Sequence, residues 1–325
     1  MEFLPLDLDI AKKVGNRKRE AESFLKLGED YFKTGNFQEA IPYFEQYGRI
    51  CKELQDRAGE GNAYGKLGDT YNSVGNTHRA EDFFEKQVAF AIEVGDKKSE
   101  GRACASLGSM FLGFSKYRSA YKCHRRQLEC AIESGDKTGK GHAYGNLGRF
   151  YHCLGDYKKA MEYFELNLTI VKELGDRVGE GKVCGNLGRV YHSLDNFERA
   201  IEYHEMQLSI AKEQNSEIDK ARAYYLKGCN LESLGSLKEA LACYKFSARL
   251  CINIRASLRS RKENCFTDEW KINLFDEFFL VDIALCRTLL KLDFVVEALC
   301  AVEQGRARAL VHLIQSRYGF RLNIK

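Results

Sequence analysis

The chain has 325 residues, of which 30% are charged and 44% hydrophobic, and a net charge of +4. That balance gives no footing for nucleic-acid binding, and no apolar run approaches the roughly 18–20 residues of a membrane span. Twelve cysteines, with no Cys-x-x-Cys pair and no framework spacing, read as reduced, small core residues of a cytosolic protein.

The N-terminus, MEFLPLDLDIAKK, has no cationic start, and Asp7 and Asp9 break its apolar run. It does not read as a signal peptide. Leu6, Leu8, Ile10, Val14 and Gly15 match Leu166, Leu168, Ile170, Leu174 and Gly175. Residues 1–17 are therefore expected to form the second helix of a half-repeat, either a cap or the remnant of a longer array. Pro5 falls near the start of that helix, where proline is tolerated.

From about residue 18 to 256 the chain repeats every forty residues, six times. Alanine recurs at Ala40, Ala80, Ala120, Ala160, Ala200 and Ala240. A Leu-Gly step recurs at Leu27-Gly28, Leu67-Gly68, Leu107-Gly108, Leu147-Gly148 and Leu187-Gly188, with an aromatic three residues past each glycine at Tyr31, Tyr71, Phe111, Tyr151 and Tyr191. A fixed period of this length signals a solenoid of small repeated units.

Each copy carries two helical stripes. Tyr144, Leu147, Gly148, Tyr151 and Leu154 make one, and Ala160, Met161, Phe164, Leu168 and Val171 the other, both with the period of an amphipathic helix. Gly155-Asp156 is expected to separate them: glycine suits the left-handed residue past a helix end and aspartate the next N-cap. The third repeat has Ser115-Lys116 there, which predicts a looser turn. Pro42 falls inside a predicted second helix, where it removes one hydrogen bond and should bend it.

After residue 256 the register changes. Arg255–Lys262 is basic and reads as a turn, followed by two longer helices at about 267–290 and 293–317. The expected architecture is thus all-α: a superhelical solenoid of antiparallel helix pairs, with a half-repeat at 1–17, six repeats at 18–256 and a longer helix pair at 257–325.

The repeated set of Leu-Gly step, tyrosine, alanine and following aromatic resembles the tetratricopeptide repeat (TPR), with each helix longer than in the common 34-residue form. Trp270-Lys271, Val296–Leu299, the run EQGRARAL at 303–310 and Ser316–Gly319 resemble the end of the array in the tetratricopeptide repeat protein 28 family. That resemblance implies a following caspase-like CHAT domain, of which this sequence contains nothing. An alternative reading is accordingly the regulatory array of a split or truncated CHAT protein. The box GNLG at 145–148 and 185–188 is similar to repeats of the LGN/Pins adaptors. It implies that Asn146, Asn186, Arg149 and Arg189 grip an extended partner segment.

Catalysis is not expected. The glycines recur at helix ends and packing steps rather than in a phosphate loop, and the neighbours Cys123 and His124 point about 100° apart on a helix, too far for a nucleophile–base pair. His152 and His192 occupy equivalent positions, but two histidines fall short of a zinc site, so neither metal nor cofactor is expected. Binding is the stronger reading. The first-helix side opposite the partner helix carries Arg102, His142, Lys182 and Arg222 at one level, Asn146 and Asn186 at the next, then Arg149 and Arg189, then His152 and His192. Such a groove, basic through repeats three to six, suits an extended acidic segment of a protein partner: guanidinium groups pair with carboxylates, and carboxamides hold a peptide backbone. The open N-terminal helix also suggests end-to-end self-association.

Overall fold

A computed structural model describes residues 3–260 and 268–303. Its helices follow one another in tandem: α1 (Phe3–Val14), α2 (Arg17–Lys33), α3 (Phe37–Glu53), α4 (Arg57–Ser73), α5 (Thr77–Val94), α6 (Lys97–Gly113), α7 (Tyr117–Glu133), α8 (Lys137–Cys153), α9 (Tyr157–Glu173), α10 (Arg177–Ser193), α11 (Phe197–Glu213), α12 (Glu217–Ser233), α13 (Leu237–Ser260) and α14 (Asp268–Lys291). Helical backbone resumes at 295–303, and no strand occurs among the described residues. The chain divides into two compact units, the first ending at Ile170 and the second starting at Val171.

Local chemistry sets the helix ends. Asp136 caps α8 by accepting a hydrogen bond from the Gly139 N–H at 2.9 Å, and Asp56, Asp96 and Asp176 do the same for α4, α6 and α10. Each cap satisfies a backbone donor that the first turn leaves without a partner. At the other end of α8, Gly155 takes φ +78°. Its N–H reaches the His152 carbonyl at 3.1 Å and that of Asp156 the Tyr151 carbonyl at 3.0 Å, the paired closure that uses a left-handed residue.

The turn at Ser115-Lys116 is not looser. Ser115 adopts φ +57°, and the same two bonds form, Ser115 N–H to Leu112 at 3.0 Å and Lys116 N–H to Phe111 at 2.8 Å. The repeat carries a backbone strain that the flanking turns at Gly75 and Gly155 avoid with glycine. Pro42 leaves α3 one helix from Phe37 to Glu53.

Within each hairpin the core is built on a ring set against a glycine. A Cβ added at Gly148 would lie 2.6 Å from the Phe164 ring, so only glycine lets α8 and α9 approach this closely. Phe44 fills the same slot over Gly28, Phe84 over Gly68 and Tyr244 over Gly228. Ala40, Ala80, Ala120, Ala160, Ala200 and Ala240 lie one turn before these rings and are wholly buried.

At the N-terminus α1 packs on α2, with Leu8 and Ala11 buried and Arg19 paired to Asp7 at 3.1 Å. At the other end, the basic segment expected as a turn is helical as far as Ser260, because α13 runs on through it. The segment holds neither glycine nor proline, and arginine is a good helix former. α14 packs against α13 and sends Arg287 and Lys291 to Glu232 of α12 at 2.7 and 2.8 Å. Most of the EQGRARAL run, and Ser316–Gly319, lie outside the described residues.

Candidate functional site

The first helices of the hairpins form the inner row of each unit. In the first unit α4 touches α6 and α6 touches α8; in the second α10 touches α12. Among the described residues no second helix packs comparably on the next second helix, so within each unit the row of first helices is the shorter, concave one. Their outward-facing positions are the ones singled out from the sequence.

In the first unit Arg102 on α6 and His142 and Arg149 on α8 are exposed, while Asn146 and His152 are half-buried. Arg102 Nη2 donates to Ser99 Oγ at 3.0 Å. Asn146 is partly spoken for: its Nδ2 donates to Gln127 Oε1 of α7 at 3.0 Å. The His152 ring stands 5.6 Å from that of Tyr157. Arg149 makes no ion pair.

In the second unit Lys182, Arg189, His192 and Arg222 are exposed and Asn186 is half-buried. Asn186 Oδ1 accepts from Arg189 Nη2 one helical turn on. His192 Nδ1 donates to Asn230 Oδ1 of α12 at 2.8 Å, which ties α10 to α12. Arg222 lies 3.7 Å from Asp219 on its own helix. Lys182 reaches no carboxylate.

The ends of α2 and α4 present mixed charge. Lys66 Nζ bonds Glu29 at 2.6 Å. The Asp69 carboxyl has no such partner, and the protein packed around it pushes its pKa up to about 6.

Two features escaped the sequence reading. One is an ionic staple that closes the open end of a hairpin. Arg17, Arg57, Lys97 and Arg177, at the first position of their helices, each hold a buried glutamate three residues on and a second glutamate at the end of the following hairpin helix. Glu100 is the most enclosed of these; it accepts from Arg126 Nε at 2.6 Å and Lys97 Nζ at 3.0 Å. Burial alone would raise its pKa, and the two cations outweigh it and hold the carboxyl below its usual range. The signal was present as a basic residue followed three positions on by Glu at 17/20, 57/60, 97/100 and 177/180, with Lys137 and Lys140 breaking the series.

The other is the pair His124 and His204. They stand in the ring slot, over Gly108 and Gly188, and are fully buried. Burial pushes both down to about 4. His204 Nδ1 is 3.2 Å from Gln207 Oε1; neither nitrogen of His124 has a partner in hydrogen-bond geometry. Among the described residues no three His, Cys, Asp or Glu side chains gather into a metal-binding group, and no helix is long and apolar enough to cross a membrane.

Tetratricopeptide repeat models match residues 19–93, 143–178, 183–218 and 221–250, more than half of the chain. It belongs to the tetratricopeptide repeat proteins, a protein-binding repeat family whose fold is typically non-catalytic. Solved structures agree on the fold. BtubC (BKLC) from P. vanneervenii is 18% identical, with 71% of this chain and 92% of that one covered at a TM-score of 0.58. A Rap protein complexed with competence and sporulation factor is 15% identical, covering 91% of this chain and 77% of that one at a TM-score of 0.62. Aspartyl phosphate phosphatase F from Bacillus subtilis is 14% identical, covering 98% and 77% at a TM-score of 0.64. No curated protein matches the sequence.

Proposed function

We propose that the chain is a protein-interaction scaffold whose inner helix row holds an extended, acidic segment of a partner protein. The observation that carries this is Arg149: an exposed guanidinium on a first helix, α8, with no carboxylate partner among the described residues, one turn from Asn146. A guanidinium left unpaired on a concave face is matched to a carboxylate brought by a partner. Lys182 on α10 repeats the situation in the second unit. That one Rap neighbour is solved with the competence and sporulation factor is consistent with a fold of this kind serving as a receptor.

The reading contains no catalytic step. Cys123 and His124 are adjacent in α7, and His124 is closed in beneath Gly108, out of reach of any substrate.

Affinity capture from cytosol, with identification of the bound proteins, tests it. Arg149→Glu and Arg189→Glu, made singly and together, should lose the acidic partners while keeping wild-type helicity by circular dichroism. Unchanged capture by the double variant removes the inner faces from the account, and loss in one single variant assigns the binding unit.

A further inference from the structure

Charge on the inner row of the first unit changes sign within three helices. α4 offers Asp69, α6 offers Ser106 and Ser109, and α8 offers Asn146 and Arg149, at matching positions on consecutive first helices that touch one another. The two serines are the smallest side chains in this series, where the neighbouring helices carry Lys66, Asp69, Asn146 and Arg149. They stand, half-buried, on the helix between a carboxylate on one side and a guanidinium on the other.

Among the described residues neither charge makes an ion pair. The cation nearest to Asp69 in sequence on its own face, Lys66, is held 2.6 Å from Glu29. Glu29 in turn has Lys33 at 4.0 Å, so Lys66 gives its hydrogen bond to Glu29 and reaches Asp69 only through its field. Burial, opposed only in part by the charge of Lys66, raises the pKa of Asp69 to about 6. Arg149 adds a cation that lowers the pKa of the buried His124 and has no acid to neutralise it. Two opposite charges left unpaired on one face, separated by a floor of small polar residues, are complementary to a partner carrying both signs.

We propose that the inner face of the first unit takes an extended segment of mixed charge, with a Lys or Arg side chain against Asp69, small or uncharged residues over Ser106 and Ser109, and a carboxylate against Arg149. This rests on the scaffold reading above and narrows it: the partner segment is not acidic throughout. The spacing follows from the architecture. Two steps between packed helices at about 8–10 Å each separate α4 from α8, and an extended chain covers roughly 3.3 Å per residue. The cation and the acid should therefore stand about five to six residues apart in the bound segment.

The test is selection of the intact chain against a display library of random dodecapeptides, repeated with Asp69→Asn and Arg149→Gln. Both positions are exposed and both changes conserve shape, and circular dichroism verifies each fold. The expected pool pairs a Lys or Arg with an Asp or Glu at about that spacing. Asp69→Asn should lose the cation preference alone and Arg149→Gln the acid preference alone. A selected peptide, made synthetically, should bind each variant roughly three- to fivefold more weakly, the range of a solvent-exposed ion pair. A pool enriched in acids only, and indifferent to Asp69→Asn, overturns this inference while leaving the acidic-partner reading standing. A pool with no charge preference overturns both.

Discussion

His124 and His204 fill a slot that Phe44, Phe84, Phe164 and Tyr244 fill in the other hairpins, and the exchange makes stability depend on pH. In the folded chain burial holds both histidines down to about 4, with Arg149 facing His124 and Arg189 and His192 facing His204. In the unfolded chain each titrates near its ordinary value of about 6.5. The unfolded state then binds more protons, so stability rises with pH. It should be complete above pH 6.5 and fall as the pH drops toward 4, by up to about 3 kcal/mol for each histidine. Urea unfolding followed across that window tests this; the variant carrying His124→Phe and His204→Phe should show a much shallower slope. An equally steep slope in that variant would assign the effect elsewhere. At Ser115, a left-handed backbone that neighbouring turns give to glycine costs about 1 kcal/mol. Ser115→Gly should recover that amount in the same assay, and a loss of stability would contradict the account of the turn.

Close approach of helices depends on single atoms. Gly148→Ala would gain up to about 1 kcal/mol of helix propensity but place a Cβ 2.6 Å from the Phe164 ring, which is buried and cannot retreat. The clash should win, with a net loss of about 1–3 kcal/mol. Gly113, at the end of α6, has nothing within 4 Å of such a Cβ, so Gly113→Ala should be neutral or stabilising. Thermal melts of the two variants separate packing from propensity. For the ionic staple, Glu100→Gln should cost about 1–3 kcal/mol, because an enclosed, charge-assisted pair is weakened. Glu129→Gln, which removes an exposed partner of Arg126, should cost about 0.5 kcal/mol or less.

At this scale the division between what was legible and what was not has a physical basis. The two stripes and the Gly155-Asp156 turn announced helix ends to within a residue or two, since caps and left-handed residues are chosen by local backbone geometry. The ring seated on each Leu-Gly step was not legible. It lies sixteen residues further along the chain, and its chemistry varies from Phe to His to Tyr, because the slot asks for a flat ring rather than one residue type. The link from Arg17 to Glu53 spans thirty-six residues and was hidden for the same reason. Charge was over-read at Arg255–Lys262, where arginines continue α13 instead of ending it. For the candidate face, the periodicity picked out first-helix positions that are exposed or half-buried, yet it could not tell an engaged side chain such as Asn146, bonded to Gln127, from one such as Arg149 that has no ion pair among the described residues.

Across the whole molecule, the same forty-residue unit is used with different exposed residues on its first helices, so the repeat is constant while the chemistry it presents is not. α2 and α4 carry Glu29, Lys66 and Asp69, and α8 carries Arg149; in the second unit α10 carries Lys182 and Arg189. The core residues beneath them hardly change, with the repeated alanine wholly buried in all six hairpins. Substitution on the inner face should therefore alter binding without altering the melt. The measurement that tests this most directly is equilibrium binding of a captured partner segment, at low and at high ionic strength, to wild type and to the variant carrying Arg149→Glu and Arg189→Glu. The account predicts that salt weakens wild-type binding, because exposed ion pairs are screened, and that the variant loses binding at an unchanged melting temperature. Binding of equal strength in both proteins, indifferent to salt, would contradict it.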